Sequence, residues 1–183
     1  MRRSNAALFW PVLALVVACD AFTKWLAESK LIPERVPHEL IAGADWLRAT
    51  LIHNPGAAFG LHVGDYSRWV FTALTVIALV ILGRLYASTR PGDWARTLAL
   101  ALVCGGAVGN LLDRLRSPIG VVDFIDLGVG ESRWPTFNIA DMAVSIGAFL
   151  LAWVLWGEEA SATAEAPTPA MAGAPAGEPG ELS

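Results

Sequence analysis

Val121-Val122-Asp123-Phe124 and, after a short polar loop, Phe137-Asn138-Ile139-Ala140-Asp141 set two aspartates among apolar residues. Asp141 opens a run that stays apolar to Trp156, so it lies at the mouth of a helix that would cross a membrane. A carboxylate there is costly to bury and usually marks function. Two carboxylates this close in sequence, at the same expected membrane face, form a pair able to share a proton across a water.

Working outward, the chain offers three more spans. About 20 helical residues cross a ~30 Å hydrocarbon core. Residues 6–27 supply one, broken only by Pro11, Asp20 and Lys24; residues 69–86 and 94–112 supply the others, and 139–156 makes four. The 183 residues are 55% hydrophobic and 16% charged, with a mean hydropathy of +0.50. That is more apolar than a soluble domain of this size and fits a small polytopic membrane protein. No basic surface for nucleic acid is present. Cys19 and Cys104 both fall in apolar runs and are expected to be buried free thiols.

Residues 28–68 are mixed, punctuated by Pro33, Pro37, Gly43, Gly56, Gly60 and Gly64. Trp46 to Ile52 alternates loosely and predicts a strand with Trp46, Arg48, Thr50 and Ile52 on one side. This segment reads as a small, partly β extramembrane subdomain. Residues 157–183 are rich in Ala, Pro, Gly and Glu, cannot bury a core, and are expected to be disordered. The first 156 residues then form one membrane domain. Arg2, Arg3, Arg84, Arg90 and Arg96 lie near one face, which the positive-inside bias assigns to the cytoplasm together with both termini. Phe9, Trp10, Tyr86, Trp94, Trp153 and Trp156 mark the inner span ends, and Trp25, Trp69, Trp134 and Phe137 the outer ones.

On this topology the polar exceptions gather at the outer leaflet. Asp20 and Lys24 are one helical turn apart and read equally as an ion pair at the membrane edge or as support for a polar site. Asn54-Pro55-Gly56-Ala57-Ala58-Phe59-Gly60 is a tight turn, or a backbone that approaches a ligand with Asn54 beside it. Gly105 and Gly109 form a small-xxx-small pair suited to helix packing. Asn110, Asp113 and Arg114 follow, sharing faces at i+3 and i+4, and either cap the helix end or organise a polar network. Asn138 could N-cap the fourth span and Asp141 favour its N-terminus, but neither role explains Asp123.

Other hydrolytic chemistries fail on inspection. His38-Glu39 lacks the second histidine of a zinc helix, since position 42 is Ala. No serine stands in Gly-x-Ser-x-Gly. Gly128-Val129-Gly130-Glu131 is near the Gly-x-Gly-Asp pattern of some membrane proteases, but ends in Glu and lies in a loop. Two non-protease readings remain open on the residues alone. Arg2-Arg3, an apolar stretch and Val16-Val17-Ala18-Cys19 look like a lipoprotein signal peptide, although three further spans follow. Asp20, Asp123 and Asp141 could instead relay ions, although a conductor should carry ionisable groups through the full membrane depth.

Five blocks in order resemble one family, the lipoprotein signal peptidases (bacterial signal peptidase II). They are Asp20 with Thr23-Lys24; Asn54-Pro55-Gly56-Ala57-Ala58-Phe59; Gly109-Asn110-Leu111-Leu112-Asp113-Arg114; Val121-Val122-Asp123-Phe124; and Phe137-Asn138-Ile139-Ala140-Asp141. The resemblance spans roughly residues 8–156. It implies a four-helix, multi-pass enzyme of the bacterial inner membrane with a small periplasmic β-cradle at 28–68. Its activity would be aspartic endopeptidase cleavage of prolipoproteins just before a diacylglyceryl-cysteine. It implies Asp123 and Asp141 as catalytic dyad, and Asn54, Gly56, Asn110, Asp113, Arg114 and Asn138 as substrate contacts or dyad support. Asp20 and Lys24 become structural support. No metal or other cofactor is implied. The partners are the prolipoprotein and the bilayer, with no nucleic acid and a monomeric enzyme expected.

Overall fold

The computed structural model describes residues 5–56 and 64–165. Ala57-Ala58-Phe59-Gly60, Arg2, Arg3 and the tail past residue 165 lie outside the described residues. Among the described residues four α-helices appear: α1 (Ala6–Lys30), α2 (Ser67–Ala87), α3 (Trp94–Arg116) and α4 (Ile139–Glu165). Each is long and apolar enough to cross a membrane. The span expected to end at Trp156 continues as helix to Glu165, so 157–165 are helical rather than unstructured. Many large apolar side chains point outward, among them Leu15, Leu74, Ile77, Ile81, Phe149 and Trp153. In water that surface would be a liability; in a bilayer it is the lipid-facing wall.

α3 is the axis of the bundle, with half of its apolar window buried against its neighbours. Small residues make this possible. A Cβ at Gly106 would come within 2.3 Å of the Ala140 carbonyl oxygen, and one at Gly109 within 2.6 Å of Asp20 Oδ2. The Gly105–Gly109 pair therefore packs helices as its spacing suggested, and Gly106 brings α4 closest. Phe9, Leu100, Ala101 and Cys104 form the inner core. Phe9, expected at the interface, turns inward and stacks on Tyr86 with ring centroids 4.0 Å apart. Both cysteines are free, but only Cys104 is buried; Cys19 faces outward from α1. Asn5 bonds the Arg90 carbonyl (3.0 Å) and the Gly92 N–H (2.9 Å). The start of α1 and the α2–α3 turn thus share one end of the bundle.

At the other end lies a four-stranded antiparallel sheet, ordered β1 (His38–Glu39), β2 (Leu47–Asn54), β3 (Val121–Val129) and β4 (Ser132–Arg133). This corrects one expectation: the stretch between the two aspartates is not a polar loop, since its first half is β3 and a tight hairpin joins it to β4. The segment 28–68 is partly β as expected, and its β2 pairs with β3 from beyond α3, with Ile52 opposite Asp123 and Asn54 opposite Val121. The register shifts between Ala49 and Ile52. That irregularity buries Ala49, Thr50 and Leu51 in succession and breaks the expected alternation, while Trp46 lies outside the strand. Ala27, Leu51 and Val122 form a second core that fixes the sheet on the end of α1.

Candidate active site

β3 and α4 deliver the two aspartates to one place. After β4 the chain doubles back, and Phe137 pairs with Ile125 in an isolated bridge. The next residue, Asn138, is completely buried. Its backbone N–H donates to Asp141 Oδ2 (3.3 Å), and the Asp141 N–H donates to Asn138 Oδ1 (2.9 Å). This is a reciprocal capping box at the start of α4. The same Asn138 side chain donates through Nδ2 to Asp123 Oδ1 (2.8 Å), Asn110 Oδ1 (3.1 Å) and the Val122 carbonyl (3.2 Å). Capping and site building are thus one arrangement.

Asn110, on α3, completes the link by donating to Asp141 Oδ1 at 2.7 Å. From β2, Asn54 donates to the far oxygen of Asp123, Oδ2, at 3.1 Å. Gly56 contributes backbone alone: its N–H holds Asn54 Oδ1 (3.0 Å), and its carbonyl faces Arg114 Nη2 (3.5 Å). Arg114 also donates to the Asn110 carbonyl, while its buried Nε finds no partner among the described residues. Burial pushes the Asp123 carboxyl up to about 7, and the neighbouring Asp141 charge acts in the same direction. Amide donors from Asn54 and Asn138, and the Lys24 cation, only partly oppose this.

Asp123, Asp141, Asn54, Asn110 and Arg114 line a cleft of about 720 Å³. Behind them lies a second cluster. Lys24 pairs with Asp20 Oδ2 and Asp113 Oδ2, both at 2.7 Å. Asp20 Oδ1 accepts the Ala140 N–H at 2.9 Å and so holds the first turn of α4 from α1. Asp113 Oδ2 also accepts the Val122 N–H at 3.3 Å, beside the start of β3. Every site residue expected from the sequence therefore falls in one connected network.

Sequence reasoning missed the cleft walls: Arg35 and His53 on the sheet side, Trp134 and Pro135 from the β4–α4 connection, and Val144 and Ile146 on α4. It also left Asp126 unassigned. That carboxylate is held by Thr50 (3.0 Å) and Arg133 (2.8 Å), away from the cleft. Three residues from Asp123 in a strand is the opposite face, and knowing that β3 is a strand would have separated the two.

The fold and cleft are those of an integral membrane enzyme. The chain superposes on a bacterial membrane enzyme solved by the in meso method at 2.3 Å resolution, with a TM-score of 0.77, 28% identity, and coverage of 88% of this chain and 95% of that one. A second such structure, at 1.9 Å, gives 0.73 at 29% identity, covering 85% and 97%. The family described as "Signal peptidase (SPase) II" matches residues 12–157. Lipoprotein signal peptidase of Xanthomonas campestris pv. campestris (strain 8004) is 42% identical over 156 residues, covering 82% of this chain and 90% of that protein. Lipoprotein signal peptidase of Moorella thermoacetica is 41% identical over 142 residues, covering 77% and 87%. The chain belongs to the signal peptidase II family of aspartic peptidases.

Proposed function

We propose that this enzyme removes signal peptides from prolipoproteins by cutting before a diacylglyceryl-modified cysteine, with Asp123 and Asp141 activating one water. The observation that carries this is the wiring of the two carboxylates. Asn138 grips Asp123, Asn110 grips Asp141, and the two amides are bonded to each other at 3.1 Å. Nothing in a purely structural role calls for two acids cross-linked at the wall of a cleft.

The pair divides its work by environment. Asp141 accepts two N–H donors at the N-terminus of α4, where the helix dipole favours a carboxylate. It takes a proton from the attacking water. Asp123, held near neutrality by burial, keeps its proton and donates it as a hydrogen bond to the scissile carbonyl. Water oxygen bonds to the carbonyl carbon, negative charge builds on the carbonyl oxygen, and the proton on Asp141 passes to the departing amine as the C–N bond breaks. Arg114 lines the same cleft, its guanidinium oriented by the Asn110 and Gly56 carbonyls and placed to meet substrate backbone. On α4 the cleft wall runs from Asp141 past Val144 and Ser145 to Ile146, which is exposed toward lipid. A lipid-anchored substrate could reach the carboxylates along it without leaving the bilayer.

We read residues 1–156 as the peptidase domain and place the sheet and cleft on the periplasmic side of the inner membrane. Both termini are then cytoplasmic. One chain supplies both carboxylates, so a monomer suffices. The experiment is incubation of purified protein with a diacylglyceryl-modified prolipoprotein. Release of the signal peptide is expected, with none from unmodified substrate. Equal cutting of both, or of neither, would overturn the substrate assignment.

A further inference from the structure

Lys24 lines no part of the cleft and is 3% exposed. Its ammonium carries three N–H bonds, and three acceptors meet it: Asp20 Oδ2, Asp113 Oδ2 and, at 3.0 Å, Asn110 Oδ1. As a counter-ion to two carboxylates it needs only the first two. The third bond goes to a neutral amide whose other end holds Asp141.

An ammonium donates and cannot accept, so the Asn110 atom facing Lys24 must be oxygen. Asn138 Nδ2 turns a second donor on that oxygen. The amide is planar, so its NH₂ then points the opposite way, at Asp141 Oδ1 2.7 Å off. Flipping the amide would set NH₂ against an ammonium and oxygen against a carboxylate. Asn138 alone is a weaker constraint, because its two N–H bonds are shared among Asp123, Val122 and Asn110. The charged lysine, pinned by Asp20 and Asp113, is the fixed point of the chain.

We propose that Lys24 is a positioning residue for the cleavage reaction: it locks the Asn110 amide so that a hydrogen-bond donor stays on Asp141. The inference rests on the reading of Asp141 as the base and extends it one residue behind the cleft. Lys24 acts through Asn110 and touches no substrate. Its loss leaves the cleft surface unchanged and leaves the base loosely held.

The test is a double-mutant cycle on purified enzyme and diacylglyceryl-modified prolipoprotein. Lys24→Met should lower kcat about 100-fold, the scale of a misplaced catalytic group, with KM within about threefold. In the Asn110→Ala background the same change should cost less than about twofold, because residues acting through one another are not additive. Unchanged kcat in Lys24→Met, or an equal fold loss in both backgrounds, overturns the proposal and leaves Lys24 a counter-ion. Should Lys24→Met not insert, Lys24→Met with Asp113→Asn keeps the cluster's net charge. It is then compared with Asp113→Asn alone, and the same outcomes decide. Asp123→Asn runs alongside: turnover by that variant would sink the dyad itself, whereas an inactive Asp123→Asn beside a fully active Lys24→Met sinks only the role of Lys24.

Discussion

Two clusters of acids stand back to back at one end of the bundle, and they solve the problem of a buried charge in opposite ways. Asp20 and Asp113 share the Lys24 ammonium and accept backbone N–H groups from Ala140 and Val122. Both oxygens of Asp20 and Oδ2 of Asp113 are committed, and the pair holds α1, α3, α4 and β3 together. Asp123 and Asp141 receive amide and backbone donors but no ammonium of their own, and both face the cleft. The Arg114 guanidinium serves Asp141, Asp113 and Asp123 together, and buried charge so thinly compensated is expensive. The second cluster lowers that cost by leaving Asp123 protonated up to about 7. On the mechanism proposed above, this difference separates acids that build from acids that react: the first are tied to an ammonium and backbone N–H groups, and of the second Asp123 keeps a proton.

Among changes that leave both carboxylates in place, the largest effect should come from Asn138→Ala, which strikes the amide that joins Asp123, Asn110 and Asp141. It removes the cap of α4 and the donors to Asp123 and Asn110. A lost cap costs about 0.5–2 kcal/mol, and each orphaned buried acceptor about 1–3 kcal/mol. Thermal unfolding in detergent should drop accordingly, with kcat falling about 100-fold or more.

Next comes pH, which should divide the two clusters. The folded Asp123 holds its proton to about 7, against an ordinary value of 3.8. Between those limits the folded state binds a proton the unfolded chain has released, so this group's contribution to stability falls as pH rises, by about 1.4 kcal/mol per unit. Asp123→Asn lacks that loss. Its stability relative to wild type should therefore climb from pH 4 to 7 and level off above, measured by paired unfolding curves. Wild-type kcat/KM should decline above about 7 as Asp123 gives up its proton.

Asp20→Asn should show the reverse division. It keeps an acceptor for Ala140 but loses the charge paired with Lys24. Lys24 retains Asp113, so the cost should be about 1–3 kcal/mol of stability with less than tenfold loss of rate. Inactivation of a well-folded Asp20→Asn would erase the distinction between building and reacting acids. The smallest effect belongs to the tail. Deleting residues 160–183 spares the exposed Arg96–Glu158 pair and every residue of the network, so turnover should stay within about twofold, as for surface changes generally.

The helices were legible because apolar length is a coarse signal that tertiary context seldom reverses. The residues proposed for the site were conspicuous too, since carboxylates and amides at span ends stand out against apolar sequence, and the fold brings them into one network. The wiring was not. Asn138 could be read as a cap or as a site residue, and only the fold makes it both. β3 escaped because Asp123, Asp126 and Gly128 interrupt its apolar residues, and its partner β2 lies beyond α2 and α3 in the chain. Pairing over such separations leaves no local trace. The third bond of Lys24 was equally hidden, because Asp20 one turn earlier already accounts for its charge.

The central claim is that Asp123 and Asp141 act on one water as a unit. Its most direct test is cleavage of diacylglyceryl-modified prolipoprotein by purified, folded Asp123→Asn, Asp141→Asn and the double variant. Asparagine is nearly isosteric and hydrogen-bonds, so insertion should survive. Each single change is expected to abolish detectable turnover, or nearly so, and the double variant to be little worse than either, as for residues that work together. Substantial turnover by either single variant, or losses that multiply in the double, would contradict the account.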